Sequence, residues 1–433
     1  MSPDQIGILG IILLLLLLVA RMHVGLVMMF VGFLGYLFLT NTNGALGVLA
    51  TAPRGSSAYY TLTIIPLFIF MGQMASYSGL SEEMHRTTHD MIGHVRGGLP
   101  MASVITCAGF AAICGSSLAT VVTMTQVALP SMKKYGYDDT LSTGAIAAGG
   151  TLGILIPPSV ALVMYGIITQ ESIGKLFIAG IVPGILLTCL FLLTIIIRVR
   201  LSPGISPMVP KKPFKERMVA SRGLVFPFIL FLIVMGGIYT GVFTPTEAAA
   251  IGAFAVFLLG LIKRRLSFGA IFDSLKDTGR TTGMIFIIMI GAGIFSYFLG
   301  TSRIPYSLAN FVTTMPLSKY VIMTLILFGY LILGCMMEAV GITLLTVPII
   351  YPVIVALGFD PIWYGVVFTI CMEMGLITPP VGMNVFAMGG AASGISLNTI
   401  FRGVLWFLPA MVICVIILTM FPDIVLFLPR YMS

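Results

Sequence analysis

Two stretches of the sequence place glycine, proline and backbone carbonyl groups inside apolar segments. They are residues 149–158 and residues 373–384. Proline has no backbone N–H and its ring opposes the preceding turn, so a helix must end shortly before Pro157 and before Pro379. We expect the carbonyls of about residues 150–155 to lose their helical partners. Exposed carbonyls at the end of a half-helix suit a cation such as Na⁺, whereas the facing helix N-terminus suits an anion.

Two acidic side chains lie within or between the apolar segments. Glu373 belongs to the second stretch, which also offers Thr378 and Asn384 as neutral oxygen donors. Glu338 separates two apolar runs. A carboxylate surrounded by apolar segments of membrane length is costly, which makes it a candidate for function. Each acid could be an ion ligand, a proton carrier or a hydrogen-bonded brace, and the sequence leaves these three roles open.

Short polar segments also join two pairs of apolar runs, and their hydroxyl and N–H groups could contact a polar substrate. The candidate residues are Ser116, Ser117 and Thr120 in the first segment and Glu338, Gly341 and Thr343 in the second. Small residues in the first segment are equally compatible with close helix packing.

Other polar residues allow simpler explanations beside the functional one. Arg303 could attract a carboxylate or sulfonate, but snorkelling to the membrane interface explains it equally well. Glu247, in the sequence TPTEAAA, is better explained as part of a helix cap. His85, His89 and His94 are close in sequence, but they lie on a polar stretch and a metal site is disfavoured.

The broken segments belong to an internal repeat. Residues 130–158 recur without a gap 222 positions later as residues 352–380. The identical positions are Pro130/Pro352, Gly136/Gly358, Asp138/Asp360, Gly153/Gly375, Pro157/Pro379 and Pro158/Pro380. These residue types control backbone shape, and the offset is about half of the chain, so the sequence predicts a duplication. Two helix breaks in register favour a transport site over a simple packing kink.

Composition indicates a polytopic helical membrane protein. The 433-residue chain is 58% hydrophobic and 9% charged, whereas soluble domains carry about 25% charged residues. The net charge of +8 is attributed to loops on one side of a lipid bilayer, and no nucleic-acid binding is predicted. The six cysteines are scattered and are assigned to packing. The N-terminal apolar run is interpreted as a retained first span.

Two similar sets of elements can be read along the chain. The first half offers spans near 5–20, 23–40 and 58–79, a polar stretch 80–98, short runs 99–113 and 117–130, a broken span 140–166 and a span 174–197. The second half offers spans near 223–243, 246–262 and 281–300, runs 319–335 and 339–354, a broken span 361–390 and a span 404–428. Runs of 14 or 15 residues are shorter than the roughly 20 that cross a bilayer. The paired runs near 99–130 and 319–354 are therefore predicted to be re-entrant hairpins.

The predicted fold is an all-α polytopic membrane protein with two discontinuous helices and an inverted-topology repeat. Each half would have five crossings, and since five is odd, the second half (223–433) must be inverted relative to the first (1–200). The linker 201–222 joins them. Eighteen lysine and arginine residues would lie on one side and five on the other. The positive-inside rule makes the first side cytoplasmic, with both termini outside.

Four sequence motifs, in order and over essentially the whole chain, carry a family resemblance. They are GSSLATVV (115–122), GGTLGILIPPS (149–159), TPTEAAA (244–250) and GLITPPVGMN (375–384). The chain resembles the large membrane subunit of TRAP transporters, the DctM type. The resemblance implies an elevator-type importer of organic anions coupled to Na⁺ at two or more sites. It also implies a mobile transport domain formed by residues 99–166 and 319–390, with the remainder as scaffold.

The resemblance implies which residues would contact the substrate and which would bind Na⁺. The substrate would contact the two hairpin tips, with Ser116, Ser117 and Thr120 in the first, Glu338, Gly341 and Thr343 in the second, and Arg303 near the outer face. The first Na⁺ site would involve Gly149, Gly150, Thr151, Gly153, Ile154 and Pro157. The second would involve Glu373, Gly375, Thr378, Pro379 and Asn384.

The resemblance further implies partners and a location. They are a periplasmic substrate-binding protein, a small membrane subunit of about four helices, here expected as a separate chain, and the bacterial inner membrane. The substrate is an organic anion, a carboxylate or a sulfonate, which the sequence does not specify.

Other functions are weighed against this one. A self-sufficient anion or cation/H⁺ transporter could use Glu338 and Glu373 as proton carriers. An ion channel is less compatible with paired hairpins, which suggest alternating access. A membrane-embedded enzyme is disfavoured, since the sequence has no His-Glu-x-x-His motif and no close pair of aspartates within a span.

Overall fold

The chain folds into α-helices. The computed structural model describes residues 2–207 and 209–432, and within these ranges it contains no strand. The helices of the first half and the linker are α1 (Pro3–Val19), α2 (Val24–Leu39), α3 (Thr42–Ser57), α4 (Ile64–Tyr77), α5 (Leu80–Ile92), α6 (Gly98–Cys114), α7 (Ser117–Lys134), α8 (Asp139–Leu155), α9 (Val160–Thr169), α10 (Ile173–Leu201) and α11 (Phe214–Ala220). Those of the second half are α12 (Arg222–Tyr239), α13 (Pro245–Ile262), α14 (Phe268–Ser302), α15 (Ile304–Thr314), α16 (Lys319–Gly334), α17 (Ala339–Ala356), α18 (Pro361–Leu376), α19 (Met383–Ala391), α20 (Leu397–Val404), α21 (Leu408–Met420) and α22 (Asp423–Arg430).

Many of these helices are suited to a membrane. Among the described residues, eight helical stretches are long and apolar enough to cross one. They are Tyr60–Tyr77, Asp139–Thr169, Ile173–Leu201, Lys215–Tyr239, Pro245–Ile262, Phe268–Ser302, Ala339–Ala356 and Leu397–Met420. Helices α1, α2, α6, α16 and α18 are apolar but have only 16 or 17 residues. The predicted five crossings per half stay a prediction.

Some element boundaries differ from the predicted ones. Helices α3, α15 and α20 lie where the sequence predicted connections, and α14 begins at Phe268 rather than near 281. Helices α6 and α7 have 17 and 18 residues, so both runs are longer than the predicted 15 and 14 residues, and the re-entrant hairpin stays a prediction. The runs were underestimated because polar residues near their ends, such as Lys133 and Lys134, continue the helix.

The two copies of the repeat share their local backbone. Gly136 and Gly358 have φ values of 75° and 74°, and each follows the end of a helix. The Asp138 carboxylate accepts the Leu141 N–H at 3.1 Å, and the Asp360 carboxylate accepts the Trp363 N–H at 3.0 Å. The repeated aspartates therefore cap α8 and α18, and the repeated glycines supply a left-handed turn. Both Pro-Pro bonds are cis.

The broken helices occupy the centre of the molecule. Every residue of α8 from Leu141 to Leu155 is buried, as is every residue of α18 from Trp363 to Leu376. A helix that is apolar on all sides fits either the protein interior or lipid, and α8 and α18 lie in the interior. The helices that carry the candidate site residues are thus enclosed by the rest of the protein.

Long-range polar contacts connect the halves at two ends. Lys263 Nζ lies 2.7 Å from Glu83 Oε2, and the Tyr77 hydroxyl donates to Asp277 at 2.8 Å. At the other end, the Tyr351 hydroxyl lies 3.1 Å from the Glu171 carboxylate. Each contact joins residues that the charge distribution predicts on the same side of the membrane. Thr244 and Glu247 form a capping box at the start of α13, which confirms the interpretation of Glu247 as a cap.

Candidate functional site

The helix breaks lie close to their predicted positions, but the first lies later. Helix α8 continues to Leu155, and the Ile156 N–H still donates to the Leu152 carbonyl at 2.9 Å. The prediction of free carbonyls from residue 150 was therefore wrong for the carbonyls of residues 150–152. Gly153 and Ile154 lose their helical donors because Pro157 and Pro158, four residues later, have no N–H.

The first polar turn packs directly on the first break. A Cβ on Gly153 would lie 2.7 Å from the Ser116 carbonyl oxygen and 2.9 Å from Thr120 Oγ1. A Cβ on Gly115 would lie 2.7 Å from the Pro158 carbonyl oxygen, and Gly115 has φ 67°. Only glycine allows this approach at both positions, so the turn and the break form one unit. Gly150 makes a similar close approach to Val121.

The second polar turn packs on the second break in a comparable way. The Gly382 N–H donates to the Cys335 carbonyl at 3.1 Å, and Cys335 Sγ donates to the Pro379 carbonyl at 3.4 Å. A Cβ on Gly375 would lie 2.6 Å from Gly334 Cα. In each half, therefore, the helix break packs against the turn that joins the two preceding helices, α6 and α7 in the first half and α16 and α17 in the second.

Glu373 is the most unusual polar residue of this region. Its side chain is 1% exposed. Ser117 and Asn384 adjoin its carboxylate without forming a hydrogen bond to it. In the described part of the chain, neither Glu373 oxygen has a hydrogen-bond partner, and neither has the side-chain oxygen or nitrogen of Asn384. Buried polar groups are normally paired, so these four atoms together indicate a site for a ligand.

Ser117 belongs to the first half, whereas Glu373 and Asn384 belong to the second. The sequence predicted Ser117 only as a substrate contact, whereas the structure places it beside the Glu373 carboxylate. Non-local packing of α7 against α19 causes this. The sequence carries no signal for it.

A cavity of about 720 Å³ opens beside these residues. The first residues of four helices line it, namely Ser117 of α7, Val160 of α9, Ala339 of α17 and Met383 of α19. Helices α17 and α19 have no side-chain hydrogen bond capping their first N–H groups. Helix N-termini attract negative charge through these N–H groups and the helix dipole. No described lysine or arginine lines the cavity, and Glu338 is its one acidic residue among those described.

The cavity contains only part of the predicted set. Of the predicted residues, those that line it are Ser116, Ser117, Ile154, Glu338 and Asn384. Thr120 and Thr343 are buried and donate to the carbonyls of Ser116 and Ala339, each at 2.8 Å. Gly341 lies within α17 near Val24.

The threonine hydroxyls near the breaks donate hydrogen bonds to backbone carbonyls of their own helices. Thr151 donates to the Ala148 carbonyl at 2.6 Å and Thr378 donates to the Met374 carbonyl at 2.5 Å. A hydroxyl that donates in this way keeps lone pairs on its oxygen, and these remain available to a cation. The other predicted ion-site residues lie at the breaks and do not line the cavity. Those at the first break are Gly149, Gly150, Thr151, Gly153 and Pro157, and those at the second are Gly375, Thr378 and Pro379.

Arg303 lies apart from the cavity. It ends α14 in a left-handed conformation with φ 58°. The part of α14 that lines the cavity is residues 281–285, which places Arg303 about 27 Å further along the helix at 1.5 Å per residue. The prediction that Arg303 contacts substrate is not supported by this arrangement.

Several polar lining residues were missed by the sequence analysis. They are Gln73, Ser76, Tyr77, Thr123, Gln126 and Thr281. Ser76 and Thr123 hydroxyls lie 3.2 Å apart. Gln73 and Gln126 are amides inside apolar helices, which is a signal that could have identified them, because a polar side chain within a membrane helix normally faces a cavity.

The comparisons with known proteins identify the family. A family model described as "Tripartite ATP-independent periplasmic transporter, DctM component" matches residues 11–424. The chain belongs to this family. The resemblance found in the sequence is therefore confirmed, and the TRAP large permease is a multi-pass membrane protein.

Individual relatives agree with the family model. The TRAP large permease is 36% identical to the C4-dicarboxylate TRAP transporter large permease protein DctM of Pseudomonas aeruginosa, over 90% of this chain and 93% of that one. It is 32% identical to the sialic acid TRAP transporter large permease protein SiaM of Vibrio cholerae, over 96% of each chain. These relatives are transporter subunits rather than enzymes.

A solved structure shares the fold. The crystal structure of the Alcanivorax borkumensis YdaH transporter aligns with a TM-score of 0.64 at 15% identity, covering 91% of this chain and 90% of that one. At this identity the similarity concerns architecture alone.

Proposed function

We propose that this chain is the permease subunit that moves an organic carboxylate across the bacterial inner membrane, coupled to Na⁺. The observation that carries the proposal is the convergence of four helix N-termini on a cavity beside the unpaired Glu373 and Asn384. A cavity without lysine or arginine still attracts a carboxylate when N–H groups at helix ends point into it. The relatives named for C4-dicarboxylates and sialic acid support a carboxylate as substrate.

Na⁺ accounts for the buried oxygens better than a proton does. A proton on one Glu373 oxygen could be donated to Asn384 Oδ1, but it would leave the second Glu373 oxygen without a partner. A Na⁺ ion accepts several oxygen ligands at once, so Glu373, Asn384 and Ser117 would hold it together. The Gly153 and Ile154 carbonyls would contribute to a separate site at the first break. When bound, Na⁺ supplies positive charge close to the carboxylate of the substrate.

The remaining parts of the proposal follow from family membership. We infer that a periplasmic binding protein delivers the substrate and that a small membrane subunit, a separate chain, supports the permease. We also infer an elevator movement, in which residues 99–166 and 319–390 move as one body against the scaffold. The packing of each polar turn on its helix break, and of Ser117 beside Glu373, supports a single moving body.

A Na⁺ titration of the purified protein tests the ion site. We expect Na⁺, but not choline, to raise the thermal unfolding midpoint, because a ligand that binds only the folded state stabilises it. Two unit charges 4 Å apart attract by about 4 kcal/mol at an effective dielectric of 20. Even half of that attraction, lost in Glu373→Gln, raises the Na⁺ concentration needed by roughly 30-fold.

Glu338→Gln is the matched control, since it makes the same chemical change at the cavity surface. We expect it to titrate with Na⁺ as the wild type does. If Glu373→Gln keeps the wild-type Na⁺ dependence and instead alters the pH dependence of transport, Glu373 is a proton carrier and the Na⁺ site is wrong.

A further inference from the structure

A second pocket, of about 230 Å³, lies between α5, the end of α7 and the linker that joins the two halves. The residues that matter for its chemistry are His89, Asp90, His94, Tyr135, Lys211 and Lys212. The transport cavity shares none of these residues. The charge distribution predicts this end of the protein on the cytoplasmic side.

The linker is fixed against the body of the protein at this pocket. Lys212 Nζ lies 2.7 Å from Asp90 Oδ1, and the Arg217 guanidinium donates to the Met91 carbonyl at 2.7 Å. The Ser206 hydroxyl accepts the Gly97 N–H at 2.6 Å. The pocket is therefore walled by a linker that is held in place by polar contacts on both sides of it.

Three nitrogens around the pocket lack partners. In residues 2–207 and 209–432, His89 Nε2, His94 Nδ1 and Arg217 Nε are all buried without a hydrogen bond. The one acid of the pocket, Asp90, is already shared between Lys212 and His89, whose Nδ1 lies 3.1 Å from it. Buried nitrogens are normally paired, so unpaired nitrogens of this kind leave donors and acceptors for a bound group or for water.

The surroundings favour an anion over a metal ion. Lys211 and Lys212 line the pocket and Arg217 lies nearby, so the field there is positive; burial, and then the charges of Arg217 and Lys211, also lower the pKa of His94. Such a field repels a metal cation. No group of three metal-binding side chains occurs in the part of the chain that the structure describes. Lysine and arginine N–H groups are donors that bind phosphate, and a neutral His94 can add one N–H donor.

We propose that this pocket binds a phosphate group and thereby fastens the linker to α5. Two sources share this chemistry, namely the head group of an anionic lipid in the inner leaflet and a soluble phosphate. Basic pockets on the cytoplasmic side of membrane proteins commonly take such head groups. The site is independent of the transported substrate and of Na⁺.

The test uses the full chain in nanodiscs of phosphatidylcholine, with and without phosphatidylglycerol, and inorganic phosphate as the soluble probe. Binding is followed by phosphorus NMR and by the thermal unfolding midpoint. We expect Lys211→Gln with Lys212→Gln to weaken binding by at least about tenfold, because charge-assisted hydrogen bonds are lost. His94→Gln, which leaves the Lys212–Asp90 pair intact, should weaken it as well.

The control is Lys276→Gln with Arg280→Gln, which removes two exposed positive charges from α14. Binding of phosphatidylglycerol without binding of inorganic phosphate assigns the site to a lipid head group, and saturable binding of inorganic phosphate assigns it to a soluble ligand. The proposal is overturned if the wild type binds neither, if the control variant loses as much binding as the pocket variants, or if Zn²⁺ saturates the pocket instead.

Discussion

Gly153→Ala tests whether the first polar turn must rest on the first helix break. The new Cβ would lie 2.7 Å from the Ser116 carbonyl oxygen, whereas ordinary contact begins at 3.4 Å. The turn must therefore retreat by about 0.7 Å, and a binding site tolerates only about 0.5 Å. Overpacking of this kind costs about 1–3 kcal/mol, offset in part by the roughly 1 kcal/mol that alanine gains over glycine in a helix. The protein should fold, but Ser117 should be displaced from Glu373.

The assay is the Na⁺ dependence of the thermal unfolding midpoint in detergent. If the displaced turn passes the 1–3 kcal/mol overpacking cost on to the ion site, Gly153→Ala should need roughly fivefold to 150-fold more Na⁺ for the same stabilisation. Gly236→Ala is the control, because nothing lies within 4 Å of its Cβ, and it should titrate like the wild type. If Gly153→Ala also titrates like the wild type, the contact between turn and break does not shape the ion site.

Two further predictions concern the helix caps and a buried histidine. Asp360→Ala should cost about 1 kcal/mol of stability, the usual value of an N-cap. Asp138→Ala should cost more, since it also removes the carboxylate 3.8 Å from the mostly buried Arg198; equal losses in denaturant unfolding would contradict the contribution of Arg198, and no loss in either variant would contradict the capping account. Burial, with a smaller contribution from His89, lowers the pKa of His85 to about 4. The unfolded state then takes up a proton first as pH falls below about 6.5, so stability is lost between pH 6.5 and 4. From pH 7 to pH 5 the wild type should lose about 2 kcal/mol more than His85→Gln, and identical pH profiles would refute the assignment.

The sequence predicted the long apolar helices and the two breaks, because composition and proline act locally. It missed α3, α15 and α20, which are short or amphipathic. Helix α3 contains Pro53, Gly47 and Gly55, residues that favour a connection over a helix in single-sequence reasoning. Their helical state depends on packing, such as that of α3 on α14 and α20 on α8, and packing is invisible in the local sequence.

In the candidate site, too, the residue types could be predicted from the sequence but their packing could not. Ser116, Ser117, Glu338 and Asn384 were predicted from their residue types, and all four line the cavity. The proximity of Ser117 to Glu373 was not predicted, since it depends on how one half of the chain folds against the other. Arg303 was included because of its charge, although the length of α14 places it far from the cavity.

Transport by the assembled system tests the central claim most directly. The permease and its small subunit would be reconstituted in proteoliposomes and supplied with the carboxylate bound to the partner binding protein. We predict accumulation only when an inward Na⁺ gradient and the binding protein are both present. Accumulation driven by a pH gradient at equal Na⁺ on both sides, or uptake of the free carboxylate without the binding protein, would contradict the account.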